Sequence, residues 1–294
     1  MNILKNCNLC PRNCLVNRYE KVGYCKAKAK IKIALSSLHM WEEPVISGNS
    51  GSGTIFFSNC NLGCIFCQNR KIRNGYGREI SIDKFSKICL SLQDKGANNI
   101  NLVTPTHYVP LIKKGLEKAK RDGLVIPIVY NTSSYENEST IEYMNGNIDI
   151  YLADLKYYDD KYAKKYSNCP NYFITATRAI NKMVNQVGNP VIHNGLMKKG
   201  VIVRVLLLPG LLNDAKIIIK YLYDTYGNNI YISIMNQYTP IDKYIYEELN
   251  HKVSDSEYDE LVNYAYDIGV RNAFIQEGDT QKESFIPDFD LSNV

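Results

Sequence analysis

The sequence predicts an α/β protein: a partial, open (β/α)6 TIM-like barrel with a Cys-rich N-terminal extension. Three observations carry this expectation. From Thr54 onward, short apolar runs alternate with longer amphipathic segments. The runs lack two-residue alternation, as strands buried on both faces of a parallel sheet do. About six strand–helix units can be counted, fewer than the eight of a closed barrel. Strand periodicity alone leaves a doubly wound sheet open as well; in either case the loops at the carboxyl ends of the strands build the site.

The elements follow in order. Thr54–Phe57 (TIFF) reads as the first strand and 83–92 as a helix. Strand 99–103 (NINLV) precedes helix 109–121, and strand 126–130 (IPIVY) precedes a short helix over 139–144. Strand 148–153 leads to helices over 158–165 and 172–186. The run VIVRVLLL (201–208) is a buried strand, followed by helix 214–226, strand 230–234, helix 255–268 and a last short strand at 273–275. Residues 1–53 lack this rhythm, are rich in cysteine and contain GNSGSG, so we expect a metal-binding extension there and the barrel over 54–294. The tail after Gln276 reads as irregular.

Composition limits the function. The chain has 294 residues, 45% of them hydrophobic, enough for a sizeable core. A net charge of +5 with no Lys/Arg stripe argues against nucleic acid. No apolar run reaches the length of a membrane span, and MNILKNCNLC has no signal-peptide core. The expectation is therefore a cytoplasmic protein with no membrane partner, whose nine cysteines serve metals or redox chemistry rather than disulfides. Seven of the nine precede Gln68, in two clusters.

The second cluster, Cys60, Cys64 and Cys67 in CNLGCIFC, directly follows a predicted strand. Gly63 permits the tight loop. A four-iron cubane normally takes four cysteines, so three leave one iron open to a small ligand. The first cluster, Cys7, Cys10, Cys14 and Cys25, supplies the four thiolates of a closed site, either zinc or a second iron–sulfur cluster. Arg204 interrupts an apolar strand, and a buried Arg needs a partner: a ligand's carboxylate, or a protein carboxylate on a neighbouring strand. His107 lies at a strand end, a better place for a role than that of His193. Cys89 reads as core, and Cys169 as a loop thiol.

CNLGCIFC, with aromatic Phe66 before its last Cys, resembles the cluster loop of radical S-adenosylmethionine (SAM) enzymes. CNLCPRNC, TPTHY, YNTSSYE, DLKY and RVLLLPG, in that order, resemble the branch of pyruvate formate-lyase activating enzymes, above all its PflX-like members. The resemblance implies a [4Fe-4S] cluster on Cys60, Cys64 and Cys67, with SAM on the open iron. Reductive cleavage of SAM would then yield a radical that takes hydrogen from a substrate. It implies SAM contacts from Phe66, Thr104, Thr106, Asn131, Thr132, Asp154, Lys156, Arg204 and Gln237, and a monovalent cation near Asn131, Thr132 and Asp154. Thr104 and Thr106 stand where relatives often carry Gly-Gly-Glu. The implied activity is activation of a glycyl radical enzyme under anaerobic conditions, with a reductant such as flavodoxin or ferredoxin. Two alternatives stand beside it: radical modification of another protein, peptide or small metabolite, and a non-enzymatic iron–sulfur carrier or scaffold.

Overall fold

The computed structural model describes residues 3–276, 287 and 289–294. Its elements in chain order are β1 (Ile31–His39), α1 (Pro44–Ser47), β2 (Ser52–Phe57), α2 (Arg70–Arg73), β3 (Arg78–Ile80), α3 (Ile82–Asp94), β4 (Ile100–Val103), α4 (Val109–Arg121), β5 (Ile128–Thr132) and α5 (Glu138–Tyr143). They continue with β6 (Ile150–Asp154), α6 (Asp160–Ser167), α7 (Tyr172–Val187), β7 (Val191–His193), β8 (Leu196–Leu206), α8 (Leu212–Tyr226), β9 (Tyr231–Met235), α9 (Asp255–Asp267) and β10 (Ala273–Ile275).

One sheet runs in the order β10-β9-β8-β6-β5-β4-β2-β1-β3, with β7 pairing to β8. From β2 to β10 the neighbours along this path are parallel. Six strand–helix units followed by the strand β10 make an open, partial TIM barrel, as expected. Ile128, Tyr130, Tyr151, Ala153, Val201 and Val203 pack with the helices into the main core. Their strand neighbours Val129, Ile150, Leu152 and Ile202 face the concave side, following the two-residue alternation of a strand.

Local chemistry explains the helices. Ser81 caps α3 by accepting from the Lys84 amide at 3.1 Å, and Ser254 with Glu257 forms a reciprocal capping box on α9. Pro110 sits in the first turn of α4, where its missing N–H costs nothing. Its buried stripe, Ile112, Leu116 and Ala119, follows helical spacing.

Residues 31–47, where no strand was expected, contribute directly to this architecture. β1 pairs antiparallel with β2 and with β3. After β1 the chain turns into the concave side, where Ile46 of α1 packs with Val129, Ile150, Leu152, Met197 and Ile202. Among the described residues no helix is long and apolar enough to cross a membrane. Of the tail expected to be irregular, residues 277–286 and 288 lie outside the described residues.

Candidate active site

The carboxyl ends of the parallel strands surround a cavity of about 1040 Å³. β2 ends at Phe57, and the Cys60–Cys67 loop begins three residues later. Asn59, Thr104 and Ser134, each just beyond a strand end, adopt left-handed backbone (φ +77°, +59° and +61°). Such conformations cost free energy at non-glycine residues and are held by their surroundings. Gly63 has φ +88°, the conformation that a tight thiol-bearing loop requires.

The thiols of Cys60, Cys64 and Cys67 line the cavity, and all nine cysteines of the chain are free. Ser167 Oγ donates to Cys64 Sγ at 3.0 Å, and the Leu62 amide donates to Cys60 Sγ at 3.3 Å. Burial pushes the Cys67 thiol up to about 12, with Cys64 and Cys60 adding to the effect. Burial raises Cys64 as well, against the lowering influence of Lys156 and Ser167. Soft thiols of this kind bind iron strongly once metal displaces their protons.

The loop is gripped from outside. Arg12, between Cys10 and Cys14, donates to the carbonyls of Asn61 (2.9 Å), Leu62 (2.9 Å) and Asn168 (2.6 Å). Tyr24 stacks under the Arg12 guanidinium at 3.6 Å and donates its hydroxyl to Leu62 O. Arg73 donates to the Cys64 carbonyl, and Gln68 Nε2 to the Gln237 carbonyl at 2.8 Å. A buried Arg18 donates to the carbonyls of Ala27, Lys28 and His107. His107 donates in turn to Ser58 O at 2.8 Å.

The same cavity carries a charged wall. Asp154, at the end of β6, receives Lys156 Nζ at 2.7 Å and Arg204 Nε at 2.7 Å. Arg204 also donates to Asn131 Oδ1 at 2.8 Å and lies 3.5 Å from Glu42. The side chains are only 10% (Glu42), 15% (Arg204 and Asp154) and 17% (Lys156) exposed. Arg204 thus pairs with a carboxylate on the neighbouring strand, one of the two partners expected. Burial works to raise Asp154, but Arg204 and Lys156 prevail and hold its carboxyl below the usual range. Lys156 is raised because Asp154 and Cys64 outweigh its burial. One ammonium therefore acts on both the acidic wall and the thiol loop.

Of the residues expected at the site, Cys60, Cys64, Cys67, Phe66, Thr104, Asn131, Thr132, Asp154, Lys156, Arg204 and Gln237 all line the cavity. Thr106 does not; it is buried, and its hydroxyl donates to Glu136 at 2.6 Å. Cys7, Cys10, Cys14 and Cys25 form a separate group outside the cavity wall. His107 is buried and pushed down to about 3 by desolvation and Arg18, so it is neutral and structural. Cys89 is core, as expected, while Cys169 is fully buried with its thiol against Ala163 O. Sequence reasoning missed Glu42 and Glu43, which enter the wall from the stretch between β1 and α1. Glu43 is raised to about 7, chiefly by burial. Ser167 and Glu136 were missed too; no local pattern marks any of the four.

The donor set fits an iron–sulfur cluster: three soft thiols on one loop, with hydrogen-bond donors to two of the sulfurs. The wall fits an amino-acid-like ligand, since it presents carboxylates and cations side by side.

The family model described as the radical SAM superfamily matches residues 54–202. The uncharacterized protein MJ0674 of Methanocaldococcus jannaschii is 28% identical over 278 residues, covering 90% of this chain and 75% of that one. Among solved structures, SuiB of Streptococcus suis bound to S-adenosylmethionine superposes with a TM-score of 0.51 at 15% identity, over 74% of this chain and 48% of that one. HydG, a maturase of the [FeFe]-hydrogenase, does so with a TM-score of 0.50 at 15% identity, over 74% and 49%. The chain spans about half the length of these solved chains, and at such identity the likeness is one of fold.

Proposed function

The chain belongs to the radical SAM superfamily, and from that premise we propose that it abstracts a hydrogen atom from a protein segment, as the activating enzyme of a glycyl radical enzyme. The observation that carries this reading is that three thiols and a group of buried charges line one cavity. When bound, a [4Fe-4S] cluster with SAM supplies one-electron cleavage of the sulfonium and the hydrogen abstraction that follows.

The residues divide the work. Cys60, Cys64 and Cys67 hold the cluster, with the Ser167 hydroxyl and Leu62 amide directed at its sulfur ligands. Arg204, Lys156 and Asp154 orient the amino-acid part of SAM, with Asn131 and Thr132 beside them. A monovalent cation belongs at this same group of oxygen donors. Phe66 and Tyr238, edge to face at 6.1 Å, shape the apolar side near Gln237. A cavity of about 1040 Å³ lies just above the range of about 300–1000 Å³ for small-molecule pockets. That volume supports a peptide segment entering beside SAM. A bare electron carrier has no use for the buried charges of the wall. Free thiols throughout suit the cytoplasm, and flavodoxin or ferredoxin is the reductant we expect there.

The test is anaerobic reconstitution, then dithionite and SAM. Formation of 5′-deoxyadenosine is expected, and its loss on Cys64→Ala. Cleavage that survives Cys64→Ala rejects the assignment of the cluster. A glycyl-radical EPR signal on a co-incubated partner is the expected sign of activase work. A modified partner without that signal would point to peptide modification instead.

A further inference from the structure

Ser167 is the last residue of α6, and its hydroxyl meets Cys64 Sγ at 3.0 Å although the two lie 103 positions apart in the chain. The Cys60 sulfur also has a donor, the Leu62 amide, but that N–H belongs to the loop itself and any residue except proline would supply it at position 62. The Ser167 contact has to be built by the fold. The Tyr166 carbonyl, one residue before Ser167, accepts the amide of Ile65, one residue after Cys64, at 2.9 Å. Arg12 donates to the carbonyls of Ser167 at 3.5 Å and Asn168 at 2.6 Å while it holds those of Asn61 and Leu62. The end of α6 and the thiol loop are thus tied together beside both partners.

Behind Ser167 stands Tyr157, with its hydroxyl 2.7 Å from Ser167 Oγ and both side chains buried. A serine hydroxyl has one proton to give and two lone pairs to receive with. A metal-bound thiolate can only accept, so Ser167 directs its proton at Cys64, and Tyr157 must donate to Ser167. The donor order Tyr157, Ser167, Cys64 is thereby fixed. The Tyr157 ring is held in turn by Tyr172, edge to face at 5.4 Å, and by Tyr166 at 6.4 Å. The Tyr172 hydroxyl is anchored on the carbonyls of Ser133 and Asp154, at 2.9 and 3.1 Å.

An electron added to an iron–sulfur cluster makes its thiolate sulfurs more negative, and a hydrogen bond to such a sulfur favours the reduced state. In a low-dielectric interior each donor polarises the next, so the second hydroxyl strengthens the first. On the reading that a cluster sits on Cys60, Cys64 and Cys67, we propose that Ser167 and Tyr157 are positioning residues that raise its reduction potential through the hydrogen bond at Cys64. The electron comes from the external reductant, and both hydroxyls keep their protons when it arrives.

The experiment is a redox titration of the anaerobically reconstituted full chain, followed by EPR of the reduced cluster whose signal changes when SAM is added. In Ser167→Ala the ratio of reduced to oxidised cluster at a fixed potential should fall about tenfold, a midpoint about 59 mV lower. Tyr157→Phe keeps the ring and should move the midpoint in the same direction by less. A merely structural role would alter iron content or unfolding and leave the midpoint in place. Parental iron with unchanged midpoints in both variants therefore overturns the proposal. If Ser167→Ala does not fold, Tyr157→Phe decides alone: a lower midpoint upholds the proposal, and the parental midpoint overturns it. A parent chain with no SAM-responsive cluster overturns the reading of the cavity and this proposal together, a result distinct from a cluster whose potential ignores the two hydroxyls.

Discussion

Glu136 is fully buried, and its Oε1 accepts from Thr106 and Thr132 at 2.6 Å each, while Oε2 has no hydrogen-bond partner. Burial lifts its carboxyl from 4.5 to about 7. A group raised in the folded state stabilises the fold fully below its unfolded pKa, and that stabilisation is lost as pH rises through the folded value. Wild-type protein should therefore lose about 3 kcal/mol between pH 4 and 8 relative to Glu136→Gln. Denaturant midpoints across that range test this, and parallel curves would exclude it. Glu43, raised to about 7 in the same direction, should leave a residual slope in the variant. At Arg204 the effect is one of pairing. Arg204→Ala leaves Asp154 paired with Lys156 and takes away the cation 3.5 Å from Glu42, and should cost about 3 kcal/mol in urea unfolding. The strand-end residues of the wall were legible because parallel α/β folds put polar groups at those ends. Glu42, Glu43, Glu136 and Ser167 come from loops and helix ends, where the sequence carries no periodic signal to place them.

The loop between Cys60 and Cys67 gains its shape from the N-terminal segment through Arg12 and Tyr24. One guanidinium serves two carbonyls there and those of Ser167 and Asn168 beyond the loop, and Arg12→Ala should cost about 1–3 kcal/mol. The same variant should speed amide exchange across residues 60–67 while leaving β5 and β6 protected; unchanged exchange in the loop would show that the brace is idle. The helices and the parallel strands were readable because burial on one stripe or on both faces leaves distinct periods. Three antiparallel strands, β1, β3 and β7, were not read. β7 is exposed along its whole length, so no apolar pattern marks it. Its hairpin with β8 turns at Asn194 and Gly195, both at positive φ, and that dipeptide was the available signal. β8 accordingly begins at Leu196, five residues before its apolar run. β1 lies within the Cys-rich extension, where Ile31-Lys32-Ile33 alternates but the cysteines dominate the pattern.

At the scale of the molecule, the N-terminal residues and the barrel share one sheet. β1 registers with β2 from Ile33↔Phe57 to His39↔Ser52, and Ile46 fills the concave core. A chain beginning at residue 54 exposes the edge of β2 and the apolar face beneath Ile46. It should lack cooperative thermal unfolding and near-UV circular dichroism, whereas a sharp transition would show that the barrel folds alone. The overall architecture was legible because six repeats of one unit leave a rhythm along the chain. The insertion of residues 40–47 into the concave side was not, since it depends on contacts with strands more than eighty residues away.

The chain contains a single tryptophan. Trp41 stands on the cavity wall one residue before Glu42, with 64% of its surface exposed. Its emission colour and intensity therefore form a built-in optical gauge of that chamber: anything that fills the space should dry or quench the indole, and a titration can be followed without attaching a dye.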